Sequence, residues 1–283
     1  MIYLILSVIA SSAVSIVMRA SEGRAKNTFS MFAANYAVCW LTALIFALSG
    51  GTGEGGSGFY FALWLGAIAG VMYLLTLILM RVNINRSGVT LSSVFMKLGV
   101  LIPLAFAVIV FKEKPTVAQI IGLIIAVAAI FIIYLEPGET ASKRAKLGSV
   151  ALLIALLIGG GMTGAFTQFY EKLGNIAYKN YYMLFVFLFA FILSMIVALL
   201  KKEKAMSKDI LYGALIGFPN YFATRFLLLS LQKIPAVIVY PVYNIGAIVL
   251  IGLFGILVFK EKAKGRRLIG YALVIVALVL LNI

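Results

Sequence analysis

Apolar runs of about 20 residues, parted by short polar intervals, recur from one end of the chain to the other. Ten segments stand out, at 2–18, 29–49, 59–80, 88–111, 116–135, 147–170, 178–200, 210–231, 235–259 and 266–283. Roughly 20 helical residues cross a bilayer at about 1.5 Å each. The pattern predicts an all-α integral membrane protein with ten transmembrane helices. The Gly-rich interval Gly50–Gly58 and the polar interval Glu136–Lys146 are its clearest breaks.

The pattern also repeats. Val110-Phe111-Lys112-Glu113-Lys114, followed by Ile121-Gly122, returns as Val258-Phe259-Lys260-Glu261-Lys262, followed by Ile269-Gly270. At this offset of 148, residues 87–135 overlie 235–283 without a gap, and eleven of the 49 positions are identical. Weaker matches keep the same order: Asn35-Tyr36 faces Asn180-Tyr181, and Gly66-x-x-x-Gly70 faces Gly213-x-x-x-Gly217. The expected organisation is a first five-helix repeat at 1–135, a linker at 136–146 and a second repeat at 147–283. Five is odd, so the second repeat enters the membrane inverted. Inverted repeats are the ground plan of many secondary transporters, with the site near the midplane between the halves.

Composition narrows the choice further. The chain is 64% hydrophobic and 12% charged, about half the charge of an ordinary soluble domain. Its net charge of +15 would suit nucleic acid, but Lys and Arg fall between the apolar runs, where they signal orientation. Of the 24, 17 lie in or beside the intervals after segments 1, 3, 5, 7 and 9, and five after segments 2, 4, 6 and 8. The richer side is expected to be cytoplasmic, with both termini outside a bacterial-type cytoplasmic membrane. A single cysteine, Cys39, and no histidine exclude an intrachain disulfide and argue against zinc or haem. No cofactor or metal is expected, and neither half has room for an ATPase module. The opening run lacks a basic flank, so it is expected to stay as a helix and not to be cleaved as a signal peptide.

Two cations lie inside segments. Lys97 stands ten residues into segment 4, with Ser93 one turn earlier on the same face. Ten residues of helix is about 15 Å, close to mid-bilayer, where a lysine costs roughly 2.5–3.5 kcal/mol on insertion scales. Its counterpart in the other half is Ile245. Two readings stand: a charge that attracts a carboxylate or phosphate or exchanges a proton, and a structural lysine bonded to helix-end carbonyls. Arg225, with Tyr221 one turn back, either grips an anion through its planar fork or snorkels to the headgroups.

Proline marks segments 8 and 9, in Pro219-Asn220-Tyr221 and Tyr240-Pro241-Val242-Tyr243-Asn244. Proline in a span frees carbonyls that are tolerated where they line a cavity or find another partner. Asn220, Tyr240, Tyr243 and Asn244 therefore form either a substrate wall or kinked-helix packing. Asn35, Tyr36 and Gln168 complete the candidates for substrate binding, with interface anchoring as the alternative for Tyr36. Glu113 and Glu261 sit among lysines at helix ends, which suits solvated charge or loop pairing. No nucleophile–base pair, paired acids or metal cluster falls at mid-membrane depth, so an enzyme is not expected.

The duplicated Phe-Lys-Glu-Lys stretches with their Ile-Gly sequels resemble the Gly-Glu-bearing loop of EamA-like members of the drug/metabolite transporter superfamily. That resemblance implies ten helices in two inverted halves and a carrier of small metabolites, amino acids, nucleotide sugars or amphipathic cations. Small multidrug-resistance relatives use a Glu within the first helix to exchange protons for cations. Here that helix offers Ser7, Ser11, Ser12 and Ser15, and Glu22 lies only at its end. The expectation is secondary transport of a small polar, anionic or zwitterionic metabolite by alternating access. The partners are that substrate, the lipid bilayer and a coupling proton or counter-substrate, with no nucleic acid. The alternatives are a flippase for a headgroup-bearing lipid, an exporter of amphipathic organic cations and a non-transporting scaffold.

Overall fold

The computed structural model describes residues 1–21, 23–49, 56–87, 89–134, 147–201, 205–257 and 265–281. The second Lys-Glu-Lys stretch, the linker 136–146 and Glu22 lie outside these residues. The described chain forms helices α1 (Ile2–Ser21), α2 (Thr28–Ser49), α3 (Ser57–Ser87), α4 (Val89–Leu98), α5 (Leu101–Ala105), α6 (Val117–Tyr134) and α7 (Leu147–Leu173). It continues through α8 (Lys179–Leu200), α9 (Ser207–Leu231), α10 (Ala236–Leu257) and α11 (Gly265–Leu281). Among the described residues seven helices are long and apolar enough to cross a membrane, and shorter apolar helices run over Phe95–Val110, Val117–Ile133 and Leu268–Leu281. Helices dominate because lipid satisfies no backbone N–H or C=O, so each span must bond within itself.

Segment 4, expected as one helix over 88–111, is broken. Gly99 N–H turns back to Phe95 and Met96 carbonyls, both at 3.2 Å, and Val100 N–H reaches the Lys97 carbonyl at 3.2 Å. The Gly99 carbonyl would normally receive residue 103, but Pro103 has no N–H. Ile102 N–H takes the place at 3.0 Å, giving a tighter turn. The chain then widens into a π turn over Phe106–Val110, closed by Phe111 N–H on the Phe106 carbonyl at 3.0 Å. Glycine lets the break lie flush on α7: a Cβ at Gly99 would stand 2.8 Å from Gly161 N and 2.9 Å from Leu157 O.

The chain divides into two compact units. Unit 1 comprises Met1–Leu74 and Phe166–Gln232, and unit 2 comprises Leu75–Ala165 and Lys233–Ile283. Each draws on both sequence halves, and α3 and α7 run from one unit into the other.

In unit 1, α2 packs on α8 and α9, and α1 packs on α9. The matched glycine pairs make matched contacts. Gly66 and Gly70 press α3 on α8, where a Cβ at Gly70 would meet the Val186 carbonyl at 2.6 Å. Gly213 and Gly217 press α9 on α2, where a Cβ at Gly217 would meet the Asn35 carbonyl at 2.6 Å. Such close approach favours association where lipid supplies no hydrophobic drive.

Unit 1 is pinned at one end by Asp209, which is fully buried. Its Oδ1 accepts from Lys26 N–H at 2.8 Å and Asn27 N–H at 3.2 Å, and its Oδ2 accepts from Met206 N–H at 2.8 Å. One carboxylate thus caps α9 and holds the turn into α2. In unit 2, Ala126, Ala129, Ile130 and Ile133 of α6 form a core with Val274, Ala277 and Leu281 of α11.

Candidate functional site

The candidate residues divide between the units. In unit 1, Arg225 is half-buried, and one end of its guanidinium is clamped. Its Nη1 donates to Asn180 Oδ1 at 2.9 Å and to Tyr221 Oη at 3.0 Å. The guanidinium carbon lies 4.1 Å from the Phe46 ring centre. Asn180 cannot turn freely, because its Nδ2 donates to the Phe46 carbonyl at 3.0 Å. Phe46 stacks in turn on Tyr221 at 5.6 Å and 12°.

Asn35 and Asn220 bond to each other across α2 and α9, with Nδ2 of Asn220 donating to Oδ1 of Asn35 at 3.1 Å. Cys39 adds its thiol to the Gly217 carbonyl at 3.2 Å. This buried cluster ties two helices. Tyr36 is buried and meets Tyr73 edge-on at 6.5 Å. Gln168 differs from all of these: it is fully buried, and neither its Nε2 nor its Oε1 has a partner among the described residues. An unsatisfied buried polar group costs about 1–3 kcal/mol.

In unit 2, Lys97 occupies the last turn of α4, immediately before the break. A cation there complements the C-terminal end of the helix dipole. The side chain is half-buried and has no hydrogen-bond acceptor or carboxylate among the described residues. Ser93 lies on α4, and its side chain falls outside the described residues. Tyr240 is buried, and its hydroxyl donates to the Gly164 carbonyl of α7 at 2.6 Å. Asn244 Nδ2 donates to the Tyr240 carbonyl at 3.0 Å. Tyr243 and Asn244 are half-buried. These residues hold α10 together around Pro241 and fasten it to α7.

Glu113 is not a solvated charge. Its Oε2 accepts from Val237 N–H at 3.1 Å, so it caps α10, whose first N–H groups have no helical partner. Glu113→Ala should cost about 0.5–2 kcal/mol, the usual worth of a cap, and Glu113→Gln should keep much of it through its amide oxygen. Thermal unfolding in detergent measures both. Glu261 lies outside the described residues.

Several participants carry weak sequence signals. Asn180 is visible only as the repeat partner of Asn35, and Phe46 is one aromatic among many. Gly160 and Gly161, which face the α4–α5 break, belong to a run of three consecutive glycines, a sequence signal for close backbone approach in a span that the sequence analysis did not use.

Residues 1–135 match the EamA-like transporter family, and residues 180–274 match the small multidrug resistance protein family. An uncharacterized protein of Haemophilus influenzae is 24% identical over 195 residues, which is 68% of this chain. The match spans 66% of that relative's length, slightly under two thirds. A solved crystal structure shares the fold with a TM-score of 0.80 over 99% of this chain and 98% of its own, at 12% identity. At that identity the likeness concerns the fold alone. Two related family matches, laid on apolar helices long enough to cross a bilayer, show a multi-pass integral membrane protein with an EamA-like transporter domain, of the drug/metabolite transporter kind, over residues 1–135 and a stretch similar to small multidrug resistance proteins over residues 180–274.

Proposed function

We propose that the chain is a secondary carrier that moves a small anionic or zwitterionic metabolite across the membrane without ATP. One observation carries this. The two cations set deepest in the spans, Lys97 and Arg225, have no carboxylate beside them among the described residues. The sequence offers none at that depth: its nine acids are Glu22, Glu54, Glu113, Glu136, Glu139, Glu171, Glu203, Asp209 and Glu261, all in intervals or at helix ends. An unneutralised charge away from water is expensive, and a bound substrate oxyanion lowers that cost. The broken span at Lys97 supports the same reading, since carriers commonly bind at discontinuous helices.

In this scheme residues 1–135 and 147–283 are inverted copies, both termini lie outside, and the copies move to open a central site to each face in turn. The matched contacts of Gly66–Gly70 and Gly213–Gly217 support the inverted pair. A proton or a counter-substrate drives the cycle. An organic-cation exporter would need a carboxylate inside a span, and the positions of the nine acids speak against one.

A thermal-shift screen of the purified chain against amino acids, organic acids, sugar phosphates, nucleotides and quaternary amines tests the proposal. Stabilisation by members of the anionic or zwitterionic classes is expected. Stabilisation by quaternary amines alone would overturn the substrate class.

A further inference from the structure

We propose that Arg225 and Lys179 form a seat for an oxyanion, carboxylate or phosphate, at the end of unit 1 where α2 closes and α8 opens. It deepens the carrier reading and rests on it for its role in transport, but not for its existence.

The guanidinium is already aimed. Its Nη1 is held by Asn180 Oδ1 and Tyr221 Oη, and one face lies over Phe46. Phe46 is fixed on its other sides by Tyr221 and by the edge of Phe222, at 5.6 and 6.2 Å. Guanidinium has five N–H groups, and these bonds leave the edge formed by Nε and Nη2. Among the described residues that edge has no acceptor. It matches the two oxygens of a carboxylate or phosphate.

Lys179 precedes Asn180 in the chain and stands within electrostatic reach of Arg225. Both side chains are half-buried, so water screens their repulsion only in part. Structural cations at membrane depth pair with carboxylates or carbonyls. Here two cations converge beside an amide and a phenol that orient one of them, and an anion removes the repulsion.

The test uses the full chain, delipidated in detergent, in a Lys97→Met background so that the central charge contributes nothing. Equilibrium dialysis with labelled inorganic phosphate and benzoate measures soluble oxyanions, and native mass spectrometry after adding phosphatidate measures a lipid phosphate. Arg225→Gln should weaken binding about tenfold or more, the worth of a charge-assisted bond. Arg225→Lys should fall between, keeping charge without the fork, and Lys179→Gln should cost severalfold. The Lys variants keep the test alive if Arg225→Gln fails to fold. Arg225-dependent binding of the soluble probes assigns the seat to cargo, and Arg225-dependent retention of phosphatidate alone assigns it to lipid; both uphold the oxyanion chemistry. Binding unchanged in every variant overturns the seat. Loss of transport in Lys97→Met with the seat intact separates the two sites.

Discussion

Lys97→Met should give a protein that unfolds at a higher temperature and transports far less. The two effects share one cause. The wild-type ammonium is half-buried in an apolar helix without an acceptor among the described residues. A central lysine costs roughly 2.5–3.5 kcal/mol on insertion scales. Part of that cost is already relieved by the α4 helix end, so methionine should recover about 1–2 kcal/mol. On the proposed carrier role, the same change removes a charge-assisted bond to substrate, worth about 1.5–3 kcal/mol, or roughly a tenfold to hundredfold loss of apparent affinity. A structural lysine would behave in the opposite way, losing stability when truncated. Uptake by reconstituted Lys97→Met and Lys97→Ala, beside exposed Lys201→Met as control, decides between them. Normal uptake and affinity in both position-97 variants would remove Lys97 from the mechanism.

Asp209→Ala should be the most destabilising single change outside the spans' apolar core. Three backbone N–H groups, of Lys26, Asn27 and Met206, converge on its buried carboxylate. Alanine leaves all three without their acceptor. Bonds to a charged group contribute about 1.5–3 kcal/mol each, and partial access of water to the turn reduces the sum. An overall loss of about 3 kcal/mol follows. Asn keeps one oxygen for Lys26 and Asn27 and presents an amide nitrogen to Met206, so Asp209→Asn should cost about half as much. Thermal unfolding gives the stability, and trypsin reports the opening. Arg24 and Lys26 are exposed in the same turn, so cleavage there should accelerate in Asp209→Ala. A cleavage rate equal to wild type would show that the turn is held by other contacts.

The spans were readable because their cause is local. An apolar run of sufficient length has one stable state in lipid, a helix, whatever surrounds it. The break in segment 4 was half readable. Pro103 removes a bond wherever it stands, but it acts four residues downstream of Gly99, and its effect depends on whether a neighbour accepts the disturbed backbone. Gly161 does so from another helix. The site was less legible. Arg225 stood out as a charge in an apolar run, yet neither Asn180 nor Phe46 could be named as its partners, being 45 and 179 residues away in sequence.

By itself the sequence determined the solvent of this protein, the positions of most of its helices, the recurrence of the Phe-Lys-Glu-Lys stretch and the two charges that lipid would not tolerate without reason. Hydropathy and repetition are properties of the chain written in one dimension, and the free energy of transfer acts on them directly. Only the tertiary structure decided how α2, α8 and α9 enclose Arg225, why Glu113 is a helix cap and not a solvated charge, and that Tyr240 is committed to a backbone carbonyl. Those are contacts between helices far apart in sequence, set by close packing of side chains and by hydrogen-bond geometry, which no residue carries alone.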